Sequence, residues 1–184
     1  SWWSAMAAPG RDPSHHQRAR FLLTQLLLLT LPGVPAFYLP ALLATPNDNA
    51  RFRLSGHRRD LNRPQFQLDR LERLLADVES DTRYVVASLQ QAMAVRRGLA
   101  ALDPFAPMRV LSEGRSDLVI LQRGEGPGTL LAIHNFSDVR LSFPLSTLTN
   151  ATGSVWHDVL NGHSLVEGQT ALDLEPFAVH WLTR

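Results

Sequence analysis

The 184-residue chain contains no cysteine. That absence excludes a disulfide framework and a thiolate metal site, and it suits a cytoplasmic protein. An excess of either charge is also missing. The formal net charge is +1 at pH 7, which gives no broad electrostatic footprint for nucleic acid. No basic-then-apolar leader opens the chain, whose first residue is Ser1, so a piece of a longer protein is expected. No internal repeat or low-complexity tract occurs. A membrane span needs about 20 apolar residues, and the apolar stretch from Phe21 to Ala44 is broken by Pro32, Gly33, Pro35 and Pro40. It reads as buried core, with no membrane partner.

What is present is globular in composition, 45% hydrophobic and 19% charged. The length suffices for one core, or for one small domain plus part of another. His15 to Thr30 predicts a helix that is apolar on nearly all sides, hence buried. Pro32 and Gly33 end it, and Val34 to Leu39 predicts a short buried strand of the parallel type. Helix, tight turn and strand make half of an α/β unit. A polar loop over 45–63 follows. Next comes a helix bearing Leu68, Leu71, Leu74, Leu75 and Val78, then one starting near Ser80-Asp81 with Val85, Leu89 and Met93 inward.

From Phe105 the period becomes alternating. Strands are predicted at Met108–Leu111, Leu118–Gln122, Leu130–Asn135, Arg140–Leu145, Val155–Val159, Ala171–Leu174 and Val179–Leu182. Turns fall at Gly124–Gly128, Asn150 and Asn161-Gly162. This spacing indicates an antiparallel sandwich or barrel, and a small antiparallel β-sandwich is the form expected. The domain boundary is therefore placed at residue 104, dividing 1–103 from 104–184.

The run Arg58-Arg59-Asp60-Leu61-Asn62-Arg63 is the main candidate site. Charged donors and acceptors bind sugar hydroxyls by directional, charge-assisted hydrogen bonds, and the arginine fork can grip a carboxylate and hydroxyls together. Spacing alone favours an exposed helix start capped by Asp60 and Asn62, with solvated arginines. Among the seven histidines, the adjacent His15-His16 do not share a helix face, and no metal site is expected. Trp156 and Trp181 read as core rather than as a sugar-stacking platform. The Asn135–Ser137 and Asn150–Thr152 sequons are short enough to arise by chance.

The segment from Leu31 to Arg63 resembles the last barrel strand and its loop in the alpha-amylase superfamily, and most closely its sugar phosphorylases. There a Gly-Xaa-Xaa-Arg-(Asp or Ser)-Xaa-Asn-Arg segment follows the last strand, matched here by Gly56 to Arg63. The resemblance implies that Arg59 pairs with an aspartate of an early loop and holds a bound glucosyl ring. Asp60, Asn62 and Arg63 complete the match, and Asn47-Asp48 matches an Asn-Asp pair in the preceding loop. Trp2 to Met6 resembles the segment before the seventh barrel helix, and Phe177 to Leu182 the closing strand of the family's β domain.

The implied fold is the carboxyl-terminal part of a (β/α)8 barrel followed by an all-β domain, with the remainder of the barrel as partner. The implied activity is a retaining phosphorylase. A carboxylate takes the glucosyl group from a glucoside (sucrose, a phosphorylated sucrose or glucosylglycerate), and inorganic phosphate receives it, giving glucose 1-phosphate. Phosphate is the co-substrate and no cofactor is implied. No segment here matches the superfamily's catalytic Asp, Glu and Asp motifs, so no catalytic residue is assigned. Retaining chemistry needs two carboxyls about 5–5.5 Å apart, whereas Asp69 and Glu72 read as solvated helix charges. An amylase-like hydrolase or transglucosylase, and a non-catalytic carbohydrate-binding or structural module, are the alternatives.

Overall fold

The computed structural model describes residues 1–7, 16–112, 114–148, 156–165 and 169–184. The predicted helix start at His15, the turn at Asn150, the Asn150–Thr152 sequon and the strand start at Val155 lie outside them. The chain packs as two compact units: Ser1–Leu22 with Ala36–Gln90, and Leu23–Pro35 with Gln91–Arg184.

The helices are α1 (Trp2–Ala5), α2 (Gln17–Thr30), α3 (Leu39–Leu42), α4 (Asn49–Ser55), α5 (Leu68–Ala76) and α6 (Asp81–Arg97). The first unit takes α1, α3, α4, α5, the start of α2 and the first part of α6. Phe21, wholly buried on α2, meets Trp3 edge-on with ring centroids 5.2 Å apart. Ser80 caps α6 by accepting from the Arg83 amide at 3.0 Å, as the sequence predicts. Val85, Leu89 and Ala92 then recur at helical spacing and are all buried. Thr82 donates to the Leu43 carbonyl at 2.9 Å, and Arg18 reaches Asp81 at 2.6 Å and the Glu79 carbonyl at 2.7 Å. On α5, Leu71, Leu74 and Leu75 are half-buried, but Leu68 and Val78 are exposed. Leu68 is the first helical residue and Val78 lies past the end at Ala76, so neither shares the inner face.

The strand predicted at Val34–Leu39 does not form. Tyr38 is extended (φ −80°, ψ 127°), but no ladder partner exists among the described residues, and α3 begins at Leu39. Val34 is 82% exposed. A strand is defined by its hydrogen-bonded neighbour. Pro35 and Pro40 also lack the N–H that a ladder uses. Apolar composition specified the extended backbone and could not supply the partner.

The second unit is built on antiparallel strands: β1 (Met108–Val110), β2 (Leu118–Arg123), β3 (Leu130–Asn135), β4 (Leu141–Pro144), β5 (His157–Asp158), β6 (His163–Ser164), β7 (Ala171–Leu174) and β8 (Val179–Thr183). One sheet has the order β1-β2-β3-β8-β5-β6 and a second pairs β4 with β7. Alternate residues Leu118 and Ile120, Leu131 and Ile133, Phe143, Leu172 and Leu174, and Leu182 form one core. This is the predicted sandwich, with β6 as an added short strand. Trp181 is fully buried, while Trp156 packs on the core beneath the Arg184 guanidinium at 4.5 Å. Neither is a free stacking platform. The Asn135 sequon is structural too: its buried amide donates to the carbonyls of Val139 and Glu175, both at 2.9 Å, and accepts from the Ser137 amide at 2.9 Å.

Two charged groups lie deep in this unit. The carboxylate of Asp158 accepts from His180 at 2.6 Å, from Asn161 at 2.7 Å and from the Trp181 amide at 3.2 Å. Burial alone would raise its pKa, but these bonds prevail and hold it below the ordinary carboxylate value. Arg123 is wholly buried and donates to the carbonyls of Thr30, of Asp103 at 2.8 Å and of Ala106 at 3.2 Å.

His134 is buried with no well-formed hydrogen bond to either ring nitrogen. Burial pushes its pKa down to about 4, and the nearby carbonyls of Val119 and Ala132 offset this only in part. The folded state therefore keeps His134 neutral while the unfolded chain takes up a proton below its ordinary value of 6.5. Stability is complete above that value and declines as pH falls from 6.5 towards 4, by about 3 kcal/mol at 1.36 kcal/mol per unit. The Asp158 contribution is lost only in stronger acid, below the ordinary carboxylate range. Urea unfolding followed by intrinsic tryptophan fluorescence should show the midpoint falling across that upper window, and His134→Leu should flatten the fall.

Candidate functional site

The polar segment 45–63 belongs wholly to the first unit and is more ordered than its composition predicts. Asp48 opens α4 by accepting from the Arg51 amide at 2.9 Å. Gly56 closes it in the left-handed conformation, φ 68°, which glycine adopts without a Cβ penalty. The chain then forms a single 3₁₀ turn over Arg58–Asn62 that has no side-chain cap. Sequence pattern alone predicts only loop here, because α4 is 7 residues long and mostly polar.

Three successive carbonyls at the end of that turn are bonded from outside it. Leu61 accepts from the Asp48 amide at 2.8 Å, Asn62 from the Tyr38 hydroxyl at 3.3 Å, and Arg63 from Arg51 Nη1 at 3.2 Å. Arg51 Nη2 also lies 3.3 Å from Asp60 Oδ1. Asn47 is tied to α1, its amide donating to Ser4 Oγ at 2.9 Å and its side-chain oxygen accepting from the Ser1 amino group.

The predicted site residues thus separate into two groups. Asn47, Asp48 and Asp60 are engaged in building the segment. Arg59, Asn62 and Arg63 are exposed, and among the described residues the side chains of Arg58, Arg59 and Arg63 form no hydrogen bond or ion pair. Several positive forks so close together suit an anionic or polyhydroxylated ligand. Sequence reasoning missed Arg51 and Tyr38, because their roles depend on reaching across 12 and 24 residues respectively. Among the described residues no cluster of His, Asp or Glu could hold a metal ion. Beside the turn, Pro64 to Gln67 form one wall of a cleft of about 100 Å³ floored by Leu43, Leu71 and Leu74. Arg70, exposed on α5, lines it as well.

Residues 108–183 match the family described as amylosucrase, C-terminal domain. The chain is 34% identical over 137 residues to the glucosylglycerate phosphorylase of Allomeiothermus silvanus, covering 74% of this chain and 24% of that protein. It is 25% identical over 173 residues to the glucosylglycerate phosphorylase of Escherichia coli, covering 94% and 30%. Among solved structures, an Anoxybacillus alpha-amylase superposes with a TM-score of 0.66 at 15% identity, over 90% of this chain and 32% of that one. A trehalulose synthase variant in complex with Tris also gives 0.66 at 15% identity, over 98% and 41%. The chain has the fold of the carboxyl-terminal region of alpha-amylase family enzymes, and in sequence it is similar to glucosylglycerate phosphorylases. It spans between 24% and 30% of the length of these relatives.

The cap at Asp48 supports α4 and, through its amide, the turn at Leu61. Asp48→Ala should cost about 1 kcal/mol. Hydrogen exchange at Arg51 and Phe52 should quicken correspondingly, while the amides of α6 keep their protection.

Proposed function

We propose that the longer protein to which this alpha-amylase superfamily segment belongs is a retaining glycoside phosphorylase. It transfers a glucosyl group from a glucoside to inorganic phosphate, and glucosylglycerate is the donor we favour. The curated relatives support that choice, since all three are named glucosylglycerate phosphorylases. The single observation that carries the reading is the Gly56–Arg63 turn. It follows the apolar segment 34–39 that resembles the family's last barrel strand in sequence, and the guanidinium of Arg59 is exposed and uncommitted.

In this reading residues 1–103 are barrel and 104–184 the accessory β domain. Arg59 holds the glucosyl ring and an aspartate supplied by an early barrel loop, while Asn62 and Arg63 line the acceptor side. Upstream carboxylates perform the chemistry. One attacks the anomeric carbon as the aglycone oxygen takes a proton from an acid. Phosphate then displaces the enzyme carboxylate, so two inversions give net retention in glucose 1-phosphate. Phosphate is a co-substrate and no cofactor takes part. The protein works in the cytoplasm; no described helix is long and apolar enough to cross a membrane.

Assaying the full-length protein with and without phosphate tests the acceptor. Donor cleavage should accelerate with phosphate and yield a sugar phosphate; equal rates giving only free glucose would mark a hydrolase instead. Arg59→Ala tests the site. Loss of a fork that holds a desolvated carboxylate and hydroxyls should cost on the order of 2–4 kcal/mol of transition-state binding in kcat/KM. Arg59→Lys should recover little of it, because a point charge cannot reproduce two fixed donors. Glu72→Ala, at an exposed position on α5, is the control and should match the parent enzyme. An Arg59→Ala variant as active as that control would mean the turn is only a charged surface.

A further inference from the structure

We infer that Arg51 is a positioning residue for Arg59, and that Asp60 is the internal anchor of Arg51 rather than a ligand of the sugar. The inference deepens the proposed function and rests on the reading of the Arg58–Asn62 turn as the element that holds the glucosyl ring.

The turn has little to hold itself. A 3₁₀ segment has poorer hydrogen-bond geometry than an α-helix, and this one lacks a side-chain cap. It also bears Arg58, Arg59 and, just after it, Arg63, all exposed and forming no ion pair among the described residues, while its one carboxylate, Asp60, pairs with Arg51. Like charges this close in sequence add nothing to its stability. Its conformation therefore depends on the donors that take its last three carbonyls: the Asp48 amide, the Tyr38 hydroxyl and Arg51 Nη1.

Arg51 differs from the other two donors. Its guanidinium bonds the Arg63 carbonyl at 3.2 Å with one nitrogen and lies 3.3 Å from the Asp60 carboxylate with another. One planar group thus spans the turn from the residue following Arg59 to the residue that ends it. A fork sets both separations at once, which a lysine ammonium cannot do. The carboxylate also offsets the charge that Arg51 adds to an already positive region. The Asp60 side chain is only 19% exposed, against 36% for Arg51. Asp60 therefore faces the loop's interior more than solvent, which suits an anchor better than a sugar ligand. Since Arg59 immediately precedes Asp60, fixing the Asp60 carboxylate fixes the backbone from which Arg59 projects. A displacement near 1 Å in a group that grips the reacting ring can cost about 100-fold in rate.

A double-mutant cycle in the full-length enzyme, assayed for phosphate-dependent donor cleavage, decides this. Arg51→Ala and Asp60→Asn should each lower kcat/KM by roughly tenfold, and the double variant should be no worse than either single one, because both break the same link. Arg51→Lys should regain only a minor part of the loss. The thermal midpoints of all three single variants should stay near the parent value, since this pair is not in a core. Multiplying effects of Arg51→Ala and Asp60→Asn would make Asp60 an independent sugar ligand and overturn the inference, as would full activity of Arg51→Ala or full rescue by lysine. Should Arg51→Ala fail to fold, Arg51→Lys and Asp60→Asn with their double variant complete the same cycle. Arg59→Ala, run alongside, separates the two levels. If it is silent, the reading of the turn fails; if it is damaging while Arg51 and Asp60 act independently, only the positioning role fails.

Discussion

Arginine forks bonded to backbone carbonyls are the interaction on which both units depend. The chain has 18 basic residues, and every one is arginine. In the second unit the wholly buried Arg123 closes on the carbonyls of Thr30, Asp103 and Ala106, and Arg96 on those of Leu102 at 2.6 Å and Gly33 at 3.2 Å. These carbonyls lie at the end of α2 and in the turns on either side of the predicted boundary, where no ladder can satisfy them. An unbonded buried carbonyl is costly. A guanidinium with five donors in a fixed plane meets several at once, and its charge is dispersed enough to bear burial without a carboxylate. In the first unit Arg18 and Arg20 each donate to a single carbonyl, those of Glu79 and Met6, both at 2.7 Å, and Arg18 also pairs with Asp81.

The candidate site applies that device at the surface. Arg51 uses its fork on the turn, leaving Arg58, Arg59 and Arg63 directed to solvent. The polar residues that resemble a phosphorylase loop thus divide into those that build it and those it presents. That division has a plain cause. A short helix and one 3₁₀ turn bury no residue fully, so side-chain and backbone hydrogen bonds must order the segment instead of apolar packing.

Legibility in the sequence followed the range of the interaction. The α6 start at Ser80, the run of apolar positions along α2 and the strands of the β unit other than β6 were readable, because capping and periodicity are local. The strand expected at Val34–Leu39 failed for the complementary reason: its composition is local but its ladder is not. Leu68 and Val78 misled by fitting a helical period at positions where the helix begins or has already ended. In the loop, the motif from Gly56 to Arg63 marked the candidate site, yet nothing near Arg51 announced its bond to the Arg63 carbonyl 12 residues on.

By itself the sequence determined which residues alternate, where α6 starts, that this chain offers no thiol chemistry, and which arginine-rich segment resembles a sugar-binding loop. Those properties depend on residue type and on neighbours within a few positions. Only the tertiary structure decided that Asp60 faces Arg51, that the Asn135 sequon is buried beneath the Val139 and Glu175 carbonyls, and that His134 is held neutral inside a sheet. Each of these depends on groups that folding brings together from separate parts of the chain, and burial then decides which of them remain charged.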